Sequence, residues 1–230
     1  MTTSAAAAIA IVLVIYPNSL AWMATRRSWD QWNAFTIGNL GLLISLAAYT
    51  QSTGSWSLVV GTMQPGSIAV GALVGLVPLA AILALTFAPG QLGRDIVAAG
   101  VGDVSLSGFV FRLGVQVALG TVLCEEFAFR GVLHTALSSA VQPGAAVGIG
   151  AVCYGLWHGV LQINTFAARS CRARYASAAG GTATYILLGL VLAALRQATG
   201  SLAAPLVAHG VLDMGMFAGM YARRRQHAKC

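Results

Sequence analysis

Of the 230 residues, 57% are hydrophobic and only 8% charged, with a formal net charge of +7. A soluble domain carries roughly a quarter charged residues, so these few charges cannot cover a water-exposed surface, and a soluble globule is excluded. The basic excess does not point to nucleic acid: Arg26-Arg27, Arg169/Arg172/Arg174 and Arg223-Arg224-Arg225 are short clusters between apolar runs, with no basic stripe interleaved with aromatics.

The apolar runs predict an all-α polytopic bundle of about seven transmembrane helices, near 5–24, 34–51, 66–88, 109–139, 144–162, 179–198 and 202–222. No Lys or Arg precedes Arg26, so the first run reads as a span and not as a cleaved leader. The second is short and holds Asn39. The Gly-rich stretch Pro89–Ser107, with Arg94, Asp95 and Asp103, reads as a connection with an interfacial segment around Leu92–Val97. The fourth run exceeds one bilayer crossing of ~20 residues, so it is tilted or starts on the membrane surface, near Arg112. The last residues, 223–230, form a basic tail suited to anionic headgroups. The whole chain, 1–230, reads as one integral membrane domain.

Alternating the seven spans from an outer N-terminus puts Arg26-Arg27, Arg94, Arg169/Arg172/Arg174 and the Arg223–Lys229 tail on one side. The loops Gln51–Pro65, Val141–Gly144 and Gly200–Ser201, without Lys or Arg, fall on the other. Arg196 is the one exception. By the positive-inside rule the C-terminus is cytoplasmic. Cys124, Cys153, Cys171 and Cys230 form no CxxC pair, and no disulfide framework or zinc ribbon is implied.

Ionisable side chains inside transmembrane helices cost roughly 2.5–3.5 kcal/mol each on insertion scales and mark function. Three of the six acidic residues, Glu125, Glu126 and Asp213, fall inside predicted spans, as do His134, His158 and His209. Glu126 and Arg130 are one helical turn apart in the favourable order for an ion pair. They read as a self-contained scaffold pair. Glu125, rotated about 100° away, lacks that partner and reads as the base that activates water; the reverse assignment of the two carboxylates is the alternative. Tyr154 with His158, and His209 with Asp213, repeat the one-turn spacing on two later helices. His134 has no such support and reads as a satisfied core residue.

Two chemistries fit these residue types. In one, Glu125 and His158 deprotonate a water that attacks a carbonyl, and His209 with Asp213 stabilises the oxyanion, without a metal. In the other, His158, His209 and Glu125 hold a zinc ion, although no HExxH is present.

The three elements Glu125-Glu126-Phe127-Ala128-Phe129-Arg130, Tyr154-Gly155-Leu156-Trp157-His158 and His209-Gly210-Val211-Leu212-Asp213 together resemble the CPBP family, the CAAX-processing and bacteriocin-immunity (Abi) intramembrane proteases. The resemblance covers roughly Phe109–Tyr221; the N-terminal third adds only hydropathy. It implies a motif-bearing core over about 109–222, an all-α membrane fold, and a glutamic peptidase without a cofactor. Carried over, Glu125 and His158 position the water, and His209 with Asp213 is the oxyanion pair, supported by Glu126, Arg130 and Tyr154. It shifts the balance from zinc to the metal-free chemistry. Tyr154 stands where Phe is more usual, and Asp213 where the eukaryotic prenyl-protein proteases have Asn. A carboxylate repels an oxyanion, so Asp213 is expected to orient His209 and not to touch the oxyanion itself.

The motif style looks bacterial, which implies a multi-pass protein of the inner (plasma) membrane whose partners are the lipid bilayer and a membrane-bound peptide or protein substrate, with no nucleic acid. Two other functions fit the same residues: a non-proteolytic immunity or scaffold protein of this fold, or a proton-coupled transporter. The absence of an inverted repeat weighs against the transporter. The polar segment Gln162–Arg174 is a candidate lining of the cytoplasmic entrance.

Overall fold

A computed structural model describes residues 2–89, 104–165 and 171–227. The interfacial segment expected at Leu92–Val97, Arg169, and the end of the basic tail lie outside these residues. The described residues form helices α1 (Thr3–Arg26), α2 (Gln31–Ser52), α3 (Trp56–Val60), α4 (Pro65–Phe87), α5 (Leu106–Ser138, continuous), α6 (Pro143–Trp157), α7 (Gly159–Thr165), α8 (Cys171–Thr199) and α9 (Ala203–His227). Six of the seven predicted spans coincide with one helix each, and the fifth, 144–162, is corrected: it is divided at His158 between α6 and α7. In a bilayer every backbone polar group must be satisfied within the protein, so a helical bundle is the form this apolar chain takes. Five helices are long and apolar enough to cross a membrane on their own: α1, α4, α5, α8 and α9. The other two expected spans differ for visible reasons. Helix α2 buries Thr36 and Asn39 among its apolar residues, and α6 is 15 residues long, ending at Trp157.

Contacts between distant segments fix which helix ends lie together. At one end Arg223 donates to the carbonyls of Phe87 and Ala88, Phe109 stacks on Tyr221, and Arg112 sits over Trp32, which packs on Phe217. At the other, Thr62 N–H donates to Gly200, Leu202 N–H donates to Val60, and Gly61 pairs with Ser201. Gly61 has φ +68° and the Gly200 carbonyl packs directly against its Cα; only glycine fits both conditions. The clusters Arg26-Arg27 and Arg223–Arg225 therefore share an end with Arg112.

The segment between α2 and α4 is more than a polar loop. Helix α3 packs against α5, and Val59 is 1% exposed. This accounts for Arg196, the misplaced cation of the sequence pattern. Its Nε donates to the Arg130 carbonyl (3.0 Å) and its Nη2 to Leu58 and Val59 (2.7 and 3.3 Å). The charge is spent on the Leu58 and Val59 carbonyls at the end of α3 and on the Arg130 carbonyl within α5, and not on a lipid headgroup.

Helix α5 occupies the centre, touching α2, α3, α6, α8 and α9. Its winding is of the wide π type over Arg112–Leu123 and Phe127–Leu133, with a three-residue α segment, Cys124–Glu126, between. Such stretches are rare and concentrate at functional positions. Helices α4 and α9 lie in close contact: at Gly71 and Gly75 the α4 backbone meets the carbonyls of Ala204 and Ala208. Small residues permit this approach, as is usual between membrane helices. They bring α9 in so that His209, adjacent to Ala208, reaches α5. An apolar cluster including Leu13, Phe129, Leu133, Tyr154 and Trp157 fills the space between α1, α5 and α6.

Candidate active site

The sequence-predicted polar residues meet across α5, α6 and α9. Counting 1.5 Å per residue, Glu125 lies ~20 Å from the Ser138 end of α5, and His158 lies ~22 Å from the start of α6. Both therefore lie far from the Ser138–Pro143 turn that joins α5 to α6.

Glu125 is 3% exposed. Its Oε2 accepts a hydrogen bond from the Tyr154 hydroxyl at 2.8 Å, and its Oε1 stands 3.8 Å from His158 Nε2. His158 terminates α6. Its ring Nδ1 lies 3.0 Å from the Tyr154 carbonyl; a carbonyl only accepts, so Nδ1 carries a proton and Nε2 is the nitrogen turned to Glu125. The imidazole is stacked on Tyr185 of α8, with centroids 3.7 Å apart and planes at 6°.

Glu126 is fully buried. Its Oε1 accepts from Arg130 Nη1 at 2.9 Å, as the one-turn spacing predicts. The same oxygen lies 2.8 Å from His209 Nδ1. The expectation of a self-contained Glu126–Arg130 pair is therefore corrected. Glu126 also ties α5 to α9, because the π-type winding on either side and the close α4–α9 packing bring His209 onto it. The other nitrogen of His209, Nε2, is 3.2 Å from Asp213 Oδ2. Both contacts are satisfied together when the ring carries two protons, or when Asp213 carries one. Asp213 is the most open member, its side chain 24% exposed.

The two halves are joined by Tyr154. The Arg130 guanidinium lies over its ring, 4.1 Å from the centroid, while its hydroxyl holds Glu125. Phe129 packs edge-on against Tyr154 and Trp157. His134 sits beside Arg196 and Gln197 and contributes no contact to the cluster among the described residues.

The zinc alternative requires a lone pair from His209, yet both its ring nitrogens face carboxylate oxygens. Among the described residues no group of three His, Cys, Asp or Glu side chains is arranged to hold a metal ion.

Residues 107–215 match the family Type II CAAX prenyl endopeptidase Rce1-like. Over this segment, just under half of the chain, the protein is similar to the CAAX endopeptidases. The matched residues take in all three motifs. No curated protein and no solved structure matches the chain. The family segment starts within α5's first turn and leaves out α1 to α4, so the residues those helices supply to the site are outside it.

Sequence reasoning missed Tyr185. Tyr185 lies in the apolar part of α8 and reads as core, and only the approach of α6 reveals its stacking on His158. The Glu126–His209 contact was equally hidden, since 83 residues separate its members.

Proposed function

We propose that the chain is an intramembrane endopeptidase in which Glu125 and His158 activate water for attack on a peptide carbonyl. One observation carries this reading: Glu125 Oε1 and His158 Nε2 face one another at 3.8 Å, both buried. That spacing is too long for a direct hydrogen bond and suits a water held by both. Glu125 takes the proton as the water oxygen bonds to the carbonyl carbon, and returns it to the departing amine nitrogen. Tyr154 fixes the second carboxylate oxygen, so Oε1 is the one that acts. His158, locked through Nδ1, keeps Nε2 on the water.

The oxyanion forms beside His209. Glu126 holds that ring through Nδ1 at 2.8 Å, and the longer 3.2 Å contact at Nε2 is the one from which an N–H is shared with developing negative charge. Asp213 in this reading orients the ring. The mechanism needs no metal, in keeping with a donor set in which His209 has no nitrogen to offer.

The substrate class is a membrane-associated peptide or protein. The basic end of the bundle, with the C-terminus, belongs on the cytoplasmic side by the positive-inside rule, and the setting that suits the motif style is a bacterial plasma membrane.

The test compares N-terminal peptides from membranes holding the wild type or Glu125→Ala. Products present only with the wild type are expected; identical peptide sets would sink the peptidase reading and favour a non-proteolytic member of the fold. Stoichiometric zinc retained by the wild type but lost from His158→Ala would overturn the metal-free step.

A further inference from the structure

We infer that Asn18, on α1 and outside the family segment, is a positioning residue: it clamps the helix break that sets the tautomer and aim of His158. This rests on the reading of His158 as the partner of Glu125.

The chemistry starts from where α6 stops. A helix end leaves carbonyl groups without helical partners, and lipid cannot satisfy them. Helix α6 ends at Trp157, at the depth of Glu125. His158 N–H bonds to Gly155, three residues back, and not to Tyr154, four back. The Tyr154 carbonyl is thereby released, and it is the carbonyl to which the His158 ring donates from Nδ1. In an unbroken helix the His158 backbone would occupy that oxygen. The tautomer that leaves Nε2 for the water is therefore a product of the break.

The break must itself be held. Asn18 Nδ2 donates to the Leu156 carbonyl at 2.8 Å, and its Oδ1 accepts from Val160 N–H at 2.7 Å. One side-chain amide thus binds both sides of the interruption. The second Nδ2 proton goes to Val14 in α1 at 2.7 Å, which fixes the amide orientation. Every polar atom of Asn18 is used. The preceding Pro17 lies inside α1 and is buried; it has no backbone N–H and cannot continue a straight helix. An amide inside the hydrocarbon layer is costly unless fully paired. Here it is paired, half of it to α1 and half to the two edges of the α6–α7 break.

Ring-15N-histidine protein in detergent reads this directly. The His158 signals are identified by their loss in His158→Gln. The wild type is expected to show one tautomer, protonated at Nδ1. Asn18→Leu is expected to average the two tautomers, speed Val160 amide exchange at least tenfold, and lower Glu125-dependent cleavage at least tenfold. Asn18→Gln, which keeps both donors and the acceptor, recovers part of all three. A single Nδ1–H tautomer with unchanged Val160 exchange in Asn18→Leu overturns the proposal. Should Asn18→Leu not fold, Asn18→Asp keeps the acceptor for Val160 and removes the donors; an unaltered tautomer there also overturns it. If wild-type and Glu125→Ala membranes release the same peptides, the peptidase reading fails alone, and the tautomer still decides the role of Asn18.

Discussion

Glu125 and Glu126 are neighbours on one helix, and each meets a histidine from another, but the two pairs are built differently. Glu126 and His209 are in direct contact at 2.8 Å, with Arg130 on the same oxygen and Asp213 on the far side of the ring. Charge is matched in a closed chain of four groups. Glu125 and His158 stand 3.8 Å apart, each anchored from behind, one by the Tyr154 hydroxyl and the other by the Tyr154 carbonyl. One residue thus holds both members of the looser pair and touches neither reactive face. The lesson is that identity does not assign a role to a buried carboxylate; the number of partners on it does. Glu126, whose Oε1 takes two direct contacts while its buried Oε2 takes none, joins helices through them, and Glu125, with one oxygen facing a histidine nitrogen across 3.8 Å, is the carboxylate proposed to accept a proton.

The contrast breaks most clearly on the open pair. Glu125→Gln keeps shape and removes the base; cleavage is expected to fall by about 10³-fold, within the usual range for losing a general base, with the melting temperature in detergent nearly unchanged. A large loss of stability instead would make Glu125 a structural residue like its neighbour. Glu126→Gln should do the reverse. It strips a partner from buried Arg130 and from His209, and uncompensated buried charge costs about 3–5 kcal/mol. Thermal unfolding in detergent measures this, and a variant as stable as the wild type would show that Glu126 does not hold α5 to α9.

Smaller effects sharpen the comparison. Tyr154→Phe removes a hydrogen bond to a carboxylate, worth about 1.5–3 kcal/mol. If Tyr154 aims Glu125, cleavage falls about 10- to 100-fold, and the same change on top of Glu125→Gln adds little. Full additivity in that double variant would separate the two roles. Asp213→Asn should have the least effect, a decrease of about three- to tenfold in cleavage, as His209 loses a charged acceptor that orients it. Equal or higher cleavage would mean that the charge of Asp213 plays no orienting part.

The bundle and the positions of the motif residues were legible in the sequence because both follow from periodicity. Bilayer-length apolar runs give the helices, and one-turn spacing gives the pairs within a helix, Glu126–Arg130 and His209–Asp213. Partnership between helices obeys no such rule. The angle at which α9 meets α5 depends on Gly71 and Gly75 of α4, and nothing near Glu126 announces His209. Asn18 and Asn39 illustrate the same limit. Each is a polar residue in an apolar run; Asn39 counts against its span in the sequence, yet it donates to the Gly120 carbonyl on α5 at 2.7 Å. Hydropathy counts such residues as a cost because it cannot see the carbonyl that repays it. The break in α6 was missed for a related reason: Trp157-His158-Gly159 contains no proline, and the interruption is imposed from α1.

Arg196 has a consequence for how the protein is made. Its guanidinium binds carbonyls 138 and 137 residues earlier in the chain, at Leu58 and Val59. During synthesis α3 leaves the ribosome long before its latch exists. Until α8 is delivered, the Leu58 carbonyl has the Thr135 hydroxyl of α5 but lacks the cation that ties both carbonyls to α8. The α3 segment is therefore joined to the rest of the bundle late, by a cation that arrives only with α8.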